Sequence, residues 1–424
     1  MSDAQRPPAQ RPLTQRPLTG KTVLDLTTAL SGPYATLLLA GLGARVIKVE
    51  NRALGGDSSR NNSPYYSENG LQPGRTGDND MSVSMMLRGR NKESITLNLK
   101  TPDGQRIFRE LAAKADLVVE NFSAGVTGRL GIDYQALREL NPRLVYVSIS
   151  GFGAQGAPGS GKAMDTIIQA LSGTMLTAGS PGDAPVRFGL PIADLVAPLF
   201  GVIGALAAVL ETERTGEGQH VDVSMLGALT SLVACEPFDA FEKIGMPLRT
   251  GSYVPRLAPF GVFATTDGWF ALCGPTDSFS SGVMHALGTP ELADDPRFAR
   301  RDNRVHHADE LHAMIAGWAQ HLTVAEAVRR LEENGVPAAP VRDTGDAVRD
   351  PLVLSRGEVE PLRHPVFGVA EELFGSGVPI VLSGSSTSLD RPAPWLGEHT
   401  ASVLNEFLGY GDAELTALSE AGAL

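Results

Sequence analysis

Asp194 stands at the head of the most apolar run in the chain, Pro191-Ile192-Ala193-Asp194 followed by LVAPLFGVIGALAAVL to Leu210. A carboxylate among so many aliphatic side chains is costly to bury without compensation. Two compatible readings fit it. As the N-cap of a buried helix, it accepts hydrogen bonds from the first unpaired backbone N–H groups. As a catalytic carboxylate, it is kept ionised by the helix N-terminus and partly stripped of water. A second carboxylate, Asp165, lies in KAMDTIIQALSG. It reads either as a first-turn acid that suits the helix dipole or as a partner facing Asp194, and spacing alone does not choose.

The segment 151–163, GFGAQGAPGSGKA, carries two phosphate-binding patterns, both incomplete. Gly151, Gly153 and Gly156 match GxGxxG after a strand, but Ala157-Pro158-Gly159 prolongs the loop where a helix should begin, and no acidic strand end follows at the required distance. Gly156 to Lys162 nearly writes a P-loop, but Ala163 replaces the Ser or Thr that would hold Mg²⁺. A P-loop-like NTPase therefore stays open as a second class of function. A glycine-rich loop whose Lys162 holds a phosphate without hydrolysing it, and a merely solvated lysine, are the remaining readings.

Composition narrows the field. The chain has 424 residues, 42% of them hydrophobic, enough for two or three globular domains. The formal charge of −12 and the lack of a long basic stripe argue against a nucleic-acid partner. An anionic ligand would need a local Lys/Arg cluster. The two cysteines, Cys235 and Cys273, allow no disulfide framework or zinc spacing, and both read as small core residues in a cytoplasmic protein. The histidines show no metal spacing, so no metal is expected. Run 195–210 is short for a membrane span and is bracketed by Asp194 and Glu211, so it reads as a buried helix and no membrane partner is expected.

These residues need a frame. Strand TVLDL (22–26), a helix near 33–42 and strand ARVIKVE (44–50) form a βαβ unit. Residues 51–82 read as a long loop. Strand SITLNL (94–99), a helix from Pro102 to about Ala115, and strands at 116–120 and 144–150 extend an open parallel sheet. The pattern changes after a helix at 195–212, a strand in QHVDVSM and a helical stretch at 225–243. The expected organisation is a disordered tail (1–20), a large Rossmann-like α/β domain (21–225), a linker (226–250), a smaller α+β domain (251–335), a second linker (336–362), and a return to the large domain (363–424), with a strand at VPIVLSG and two closing helices.

Eight segments in order resemble the class III coenzyme A transferases, the family that includes formyl-CoA:oxalate transferase, carnitine CoA-transferase and α-methylacyl-CoA racemase. They are LSGPYATLLLAGLGARVIKVE (30–50), SITLNLKTPDG (94–104), DLVVENFSAGVTGRLGIDY (116–134), ELNPRLVYVSISGFG (139–153), KAMDTIIQALSG (162–173), LPIADLVAPLFGVIGALAAVLETERTGEGQHVDVSM (190–225), APFGVFATTDGW (258–269) and LGEHT (396–400). The resemblance implies CoA transfer from an acyl-CoA to a carboxylic acid through aspartyl-acyl anhydride and aspartyl-CoA thioester intermediates. Asp194 would be the nucleophile, with Asp165 in support. It implies that Lys100, Arg129 and Lys162 contact the phosphates of CoA, and that Leu97, Asn121 and Phe122 line the adenine and pantetheine path. CoA would be substrate rather than a tightly bound cofactor. It also implies an interlocked-ring homodimer. Two departures bear on substrate. Met164 stands where the racemase branch needs a proton-transferring histidine, which favours a transferase over a racemase. GSYVPRLAPFG (251–261) lacks the glycine run of the formyl/oxalate enzymes, so oxalate is not implied; Arg256 there could bind an acceptor carboxylate or be an exposed loop residue.

Overall fold

The computed structural model describes residues 16–156 and 162–424. The chain divides into two compact units, one of Met1–Ser172, Gly189–Ser231 and Val348–Leu424, the other of Gly173–Phe188 and Leu232–Ala347.

The first unit is organised by six parallel strands: β1 (Thr22–Asp25), β2 (Arg45–Glu50), β3 (Lys92–Thr96), β4 (Leu117–Glu120), β5 (Val145–Ser150) and β6 (His220–Ser224). Their order across the sheet is β3-β2-β1-β4-β5-β6. From β1 the chain winds one way and from β4 the other, which makes the carboxyl ends of β1 and β4 a topological switch point. Both faces are covered, as the near-continuous apolar strands require. Leu38, Val46, Val147 and Val202 pack on one face with helices α1 (Ser31–Gly41) and α5 (Ile192–Thr215), the labels α2 (Val83–Arg88), α3 (Pro102–Ala112) and α4 (Asp165–Leu171) falling between them. Ile47, Ile95, Phe108 and Tyr146 pack on the other face with α3 and the closing helices Thr400–Leu408 and Asp412–Glu420.

The side-chain alternation of β1, β2 and β3 places charges on the α1 face, because Ile47, Val49 and Ile95 take the opposite one. Asp25, Lys48, Glu50 and Lys92 are each at most 4% exposed. Lys92 Nζ donates to Asp25 Oδ2 at 2.9 Å and to Thr36 Oγ1 at 2.7 Å. Lys48 Nζ lies 2.7 Å from Asp57 Oδ2 and donates to the Thr27 carbonyl at 2.7 Å. Glu50 takes Arg60 on both oxygens, at 2.7 and 2.6 Å. Burial alone would raise the Asp25 pKa, but Lys48 and Lys92 outweigh it and hold the carboxyl well below its ordinary range.

α5 extends the expected helix at 195–212 by three residues at each end. By length and composition it could cross a bilayer, yet it packs on the sheet. Small residues allow the approach: a Cβ on Gly204 would meet Val221 at 2.5 Å.

Several expectations change. Residues 51–82 are not a plain loop: strands Tyr65–Ser67, Gly70–Gln72 and Met81–Ser82 form a small antiparallel sheet. VPIVLSG has no strand; the sheet pairing in that region belongs to a hairpin, Val359–His364 with Gly368–Ser376. Stretch 225–243 breaks into helices Met225–Val233 and Phe238–Lys243. In the second unit, Phe260–Ala264, Trp269–Cys273 and Ala338–Pro340 form an antiparallel sheet, so part of 336–362 is sheet rather than linker. Its core gathers Phe263, Phe270, Leu272, Leu311, Ile315 and Leu331. Cys235 is exposed and Cys273 half-buried, so Cys235 is no core residue.

Candidate active site

Two cavities open at the switch point and share Thr28 and Phe122. The loop after β1 and the loop after β4 are tied there by a reciprocal pair. The Thr28 N–H donates to Asn121 Oδ1, and Asn121 Nδ2 donates back to the Thr28 carbonyl, both at 2.9 Å. Asn121, expected along the CoA path, thus spends its amide on the frame. Gly32 lies in the first turn of α1 beneath this loop, where a Cβ would meet the Thr27 side chain at 2.4 Å.

The first cavity, about 440 Å³, is lined by Leu97, Lys100, Phe122 and Arg129. Four residues expected on the CoA path therefore come together. Leu97 is buried, while Lys100 and Arg129 are exposed, so the cavity has apolar walls and two accessible cations. Val49, Leu54, Leu99 and Val126 extend the apolar wall and were not anticipated. Lys162 is exposed and lines neither cavity.

The second cavity, about 280 Å³, holds Asp165 and Asp194 with Ala29, Ser31, Asn121 and Gly151 in its wall. Gly151 and Gly153 line it instead of opening a helix, since the next helix after β5 starts at Asp165. The glycines at 159 and 161 lie outside the described residues.

Asp194 is not the N-cap. Pro191 holds that position and α5 begins at Ile192, which puts Asp194 in the first turn. Asp165 does the capping from a separate helix: its Oδ1 accepts the Ala193 N–H at 2.8 Å, while Oδ2 accepts Gln169 Nε2 at 2.7 Å. Both Asp165 oxygens are therefore occupied. The Asp194 carboxylate accepts no hydrogen bond among the described residues. Pro198 lacks the N–H that would meet the Asp194 carbonyl four residues earlier, which loosens the helix at this turn. Burial, and then the negative charge of Asp165, push the Asp194 pKa up to about 6, against the pull of Arg88. At neutral pH the group is mostly an ionised, half-buried carboxylate without a hydrogen-bond donor among the described residues.

Ala29, between the two aspartates' cavity and the charged frame, has φ of 68°, a left-handed conformation that alanine rarely adopts. Its backbone is held from three sides. Asp57 Oδ1 accepts its N–H at 3.0 Å, and its carbonyl accepts from Ser59 Oγ at 2.8 Å and Arg88 Nη1 at 3.1 Å. Strain of this kind collects at functional sites. Neither Arg88 nor Ser31 stood out in the sequence: one is an arginine ending a short helix, the other the first residue of α1. Arg256, weighed as an acceptor-binding group, is paired with Glu236 at 2.9 Å. Among the described residues no group of His, Cys, Asp and Glu is placed to hold a metal ion.

The profile of CoA-transferase family III matches residues 18–400. Succinate–glutarate CoA-transferase of Agrobacterium fabrum is 34% identical over 91% of this chain and 94% of its own. Acetyl-CoA:oxalate CoA-transferase of Acetobacter aceti is 37% identical over 92% and 95%. The crystal structure of a CAIB/BAIF family protein from Brucella suis superposes with a TM-score of 0.79 at 31% identity, over 93% of this chain and all of that one. The chain therefore belongs to CoA-transferase family III and is a CoA-transferase.

Proposed function

We propose that this enzyme moves CoA from an acyl-CoA to a carboxylic acid with Asp194 as covalent nucleophile. One observation carries the reading. Asp194 is a half-buried carboxylate without a hydrogen-bond donor among the described residues, in a cavity that meets, at Thr28 and Phe122, an apolar cavity bearing two exposed cations.

A carboxylate oxygen of Asp194 attacks the thioester carbonyl, and the C–S bond breaks to release CoA thiolate and leave an aspartyl–acyl anhydride. The thiolate attacks the aspartyl carbonyl of that anhydride. The donor acid departs as carboxylate, leaving an aspartyl–CoA thioester. The acceptor carboxylate attacks this thioester, forms a second anhydride and expels the thiolate again. Thiolate attack on the acceptor's acyl carbon yields the new acyl-CoA and restores Asp194. No step consumes a proton, so Asp194 must be ionised, and weak solvation makes it a better nucleophile. The N–H groups at the start of α1 suit the oxyanions that form. Water must stay out, since either intermediate hydrolyses.

In this reading Lys100 and Arg129 hold CoA phosphates, and Leu97 and Phe122 pack on its apolar parts. Asn121 fixes the loop, Asp165 fixes the turn that carries Asp194, and Lys162 enters only as an exposed cation beside the glycine-rich loop. CoA acts as substrate, not resident cofactor. Relatives named for succinate and glutarate support a short dicarboxylic acid as donor or acceptor. A homodimer belongs to the same proposal, supported by Leu199, Phe200, Ile203 and Leu210, large apolar side chains exposed on α5. Met164, a thioether 77% exposed, has no proton to transfer, which favours transfer over racemisation.

Peptide mass spectrometry after incubation with succinyl-, glutaryl- and acetyl-CoA tests the mechanism. The expected result is a hydroxylamine-sensitive adduct on the peptide containing Asp194, absent in Asp194→Asn. A folded, CoA-binding enzyme that transfers CoA with no adduct at Asp194 would refute it.

A further inference from the structure

Arg88 has more hydrogen-bonding capacity than the frame uses. Its guanidinium is half-buried and meets no carboxylate within 4.0 Å among the described residues. Only Nη1 is engaged, by the Ala29 carbonyl at 3.1 Å and Ser59 Oγ at 3.4 Å. The Nε–Nη2 edge, the one that takes a carboxylate in a two-pronged fashion, donates to nothing among the described residues. Two carboxylates influence Arg88, Asp57 and Asp194. Asp57 is already neutralised by Lys48 at 2.7 Å, which leaves Asp194 as the one of the two that no cation contacts among the described residues. A second donor stands unused in the wall of the Asp194 cavity, which Arg88 meets through the carbonyl of Ala29: Ser31 is 3% exposed, its Oγ has no partner among the described residues, and it opens α1, a helix with no side-chain cap.

Support of the strained Ala29 explains one N–H of Arg88 and no more, because Ser59 Oγ already donates to the same carbonyl. A half-buried guanidinium with an unused edge loses part of its hydration, and a neutral donor would brace that carbonyl without that loss. We propose that Arg88 and Ser31 form the anchor for the remote carboxylate of a short dicarboxylic acid while its other end reacts at Asp194. Arg88 lies beyond contact distance of Asp194, so a group in contact with Asp194 reaches the guanidinium only through a spacer. A monocarboxylic acid has nothing to place there. This inference rests on the transferase reading and adds the residues that select its substrate.

Two measurements test it on the full-length enzyme. The first is kcat/KM for CoA transfer from acetyl-CoA to glutarate and to butyrate, in the wild type, Arg88→Met, Arg88→Lys and Ser31→Ala. The glutarate-to-butyrate preference should fall roughly 100-fold in Arg88→Met and roughly 10-fold in Ser31→Ala, as expected for losing a charge-assisted and a neutral hydrogen bond. Arg88→Lys should recover part of the preference. An unchanged preference, including equal losses on both acids, overturns the proposal and leaves Arg88 as a brace for Ala29. The second is calorimetric binding of glutarate to the CoA-loaded enzyme. It reads the anchor even where no transfer occurs: glutarate bound by wild type and lost in Arg88→Met, in a protein that forms no adduct at Asp194, would uphold the anchor and reject the covalent mechanism. Equal glutarate affinity in both proteins rejects the anchor whatever the mechanism.

Discussion

Replacing Asp194 by Asn should abolish transfer and stabilise the fold. Folding moves the carboxyl pKa from its ordinary 3.8 to about 6, because burial and Asp165 disfavour the charge. Between those values the folded protein holds a proton that the unfolded chain has lost. Stability therefore falls as pH rises through this window, and the full penalty is present above about pH 6. A shift of about two units is worth at most ~3 kcal/mol, and partial solvent access reduces this to about 1–2 kcal/mol. Asparagine keeps the shape and never carries the charge. Urea unfolding of both proteins from pH 4 to 8 should show the variant more stable by that amount at pH 7–8, with the gap closing toward pH 4. A wild type as stable as the variant at pH 8, or a gap independent of pH, would show that Asp194 is not held against its preferred state.

The free enzyme's kcat/KM should rise with pH through about 6, and Asp165→Asn should move that limb to lower pH by removing the neighbouring charge, as read from a pH–rate profile. Lys100→Met and Arg129→Met should each weaken CoA binding roughly 10-fold and flatten its salt dependence, measured by calorimetry at two ionic strengths. Asp25→Asn breaks the buried pair with Lys92 and should cost about 3–5 kcal/mol in urea unfolding, far more than any change among the exposed ion pairs.

The sheet was readable because its strands are apolar and its first helix opens on Gly-Pro, so the βαβ start and the closing helices stood out. The family resemblance, rather than periodicity, named Leu97, Lys100, Phe122 and Arg129, which the structure brings to one cavity. Of the two readings weighed for Asp194, the N-cap one fails for a physical reason: an acid near a helix start usually caps its own helix, whereas here Asp165 caps from another one, a contact that spans 28 positions. The charges of β1 to β3 looked like ordinary strand residues, since their pairing is visible only across neighbouring strands. Arg88 gave no local signal at all. Its meaning comes from Ala29, whose left-handed backbone no propensity would have suggested.

The ladder of the sheet is complete at Ser224, but one of its faces is not. Val403, Leu404, Tyr410 and Leu418 finish the layer over β3 and α3, and Thr400 Oγ1 accepts the Thr96 N–H at 3.0 Å. During synthesis the ribosome must deliver the whole of residues 232–347 before those helices emerge. For that interval Ile95, Phe108 and the β3 edge face water, an invitation to intermolecular strand pairing. Chain arrest or frameshift anywhere after the sheet would thus release an aggregation-prone product rather than a smaller working enzyme, and chaperone dependence should concentrate in the last stretch of translation.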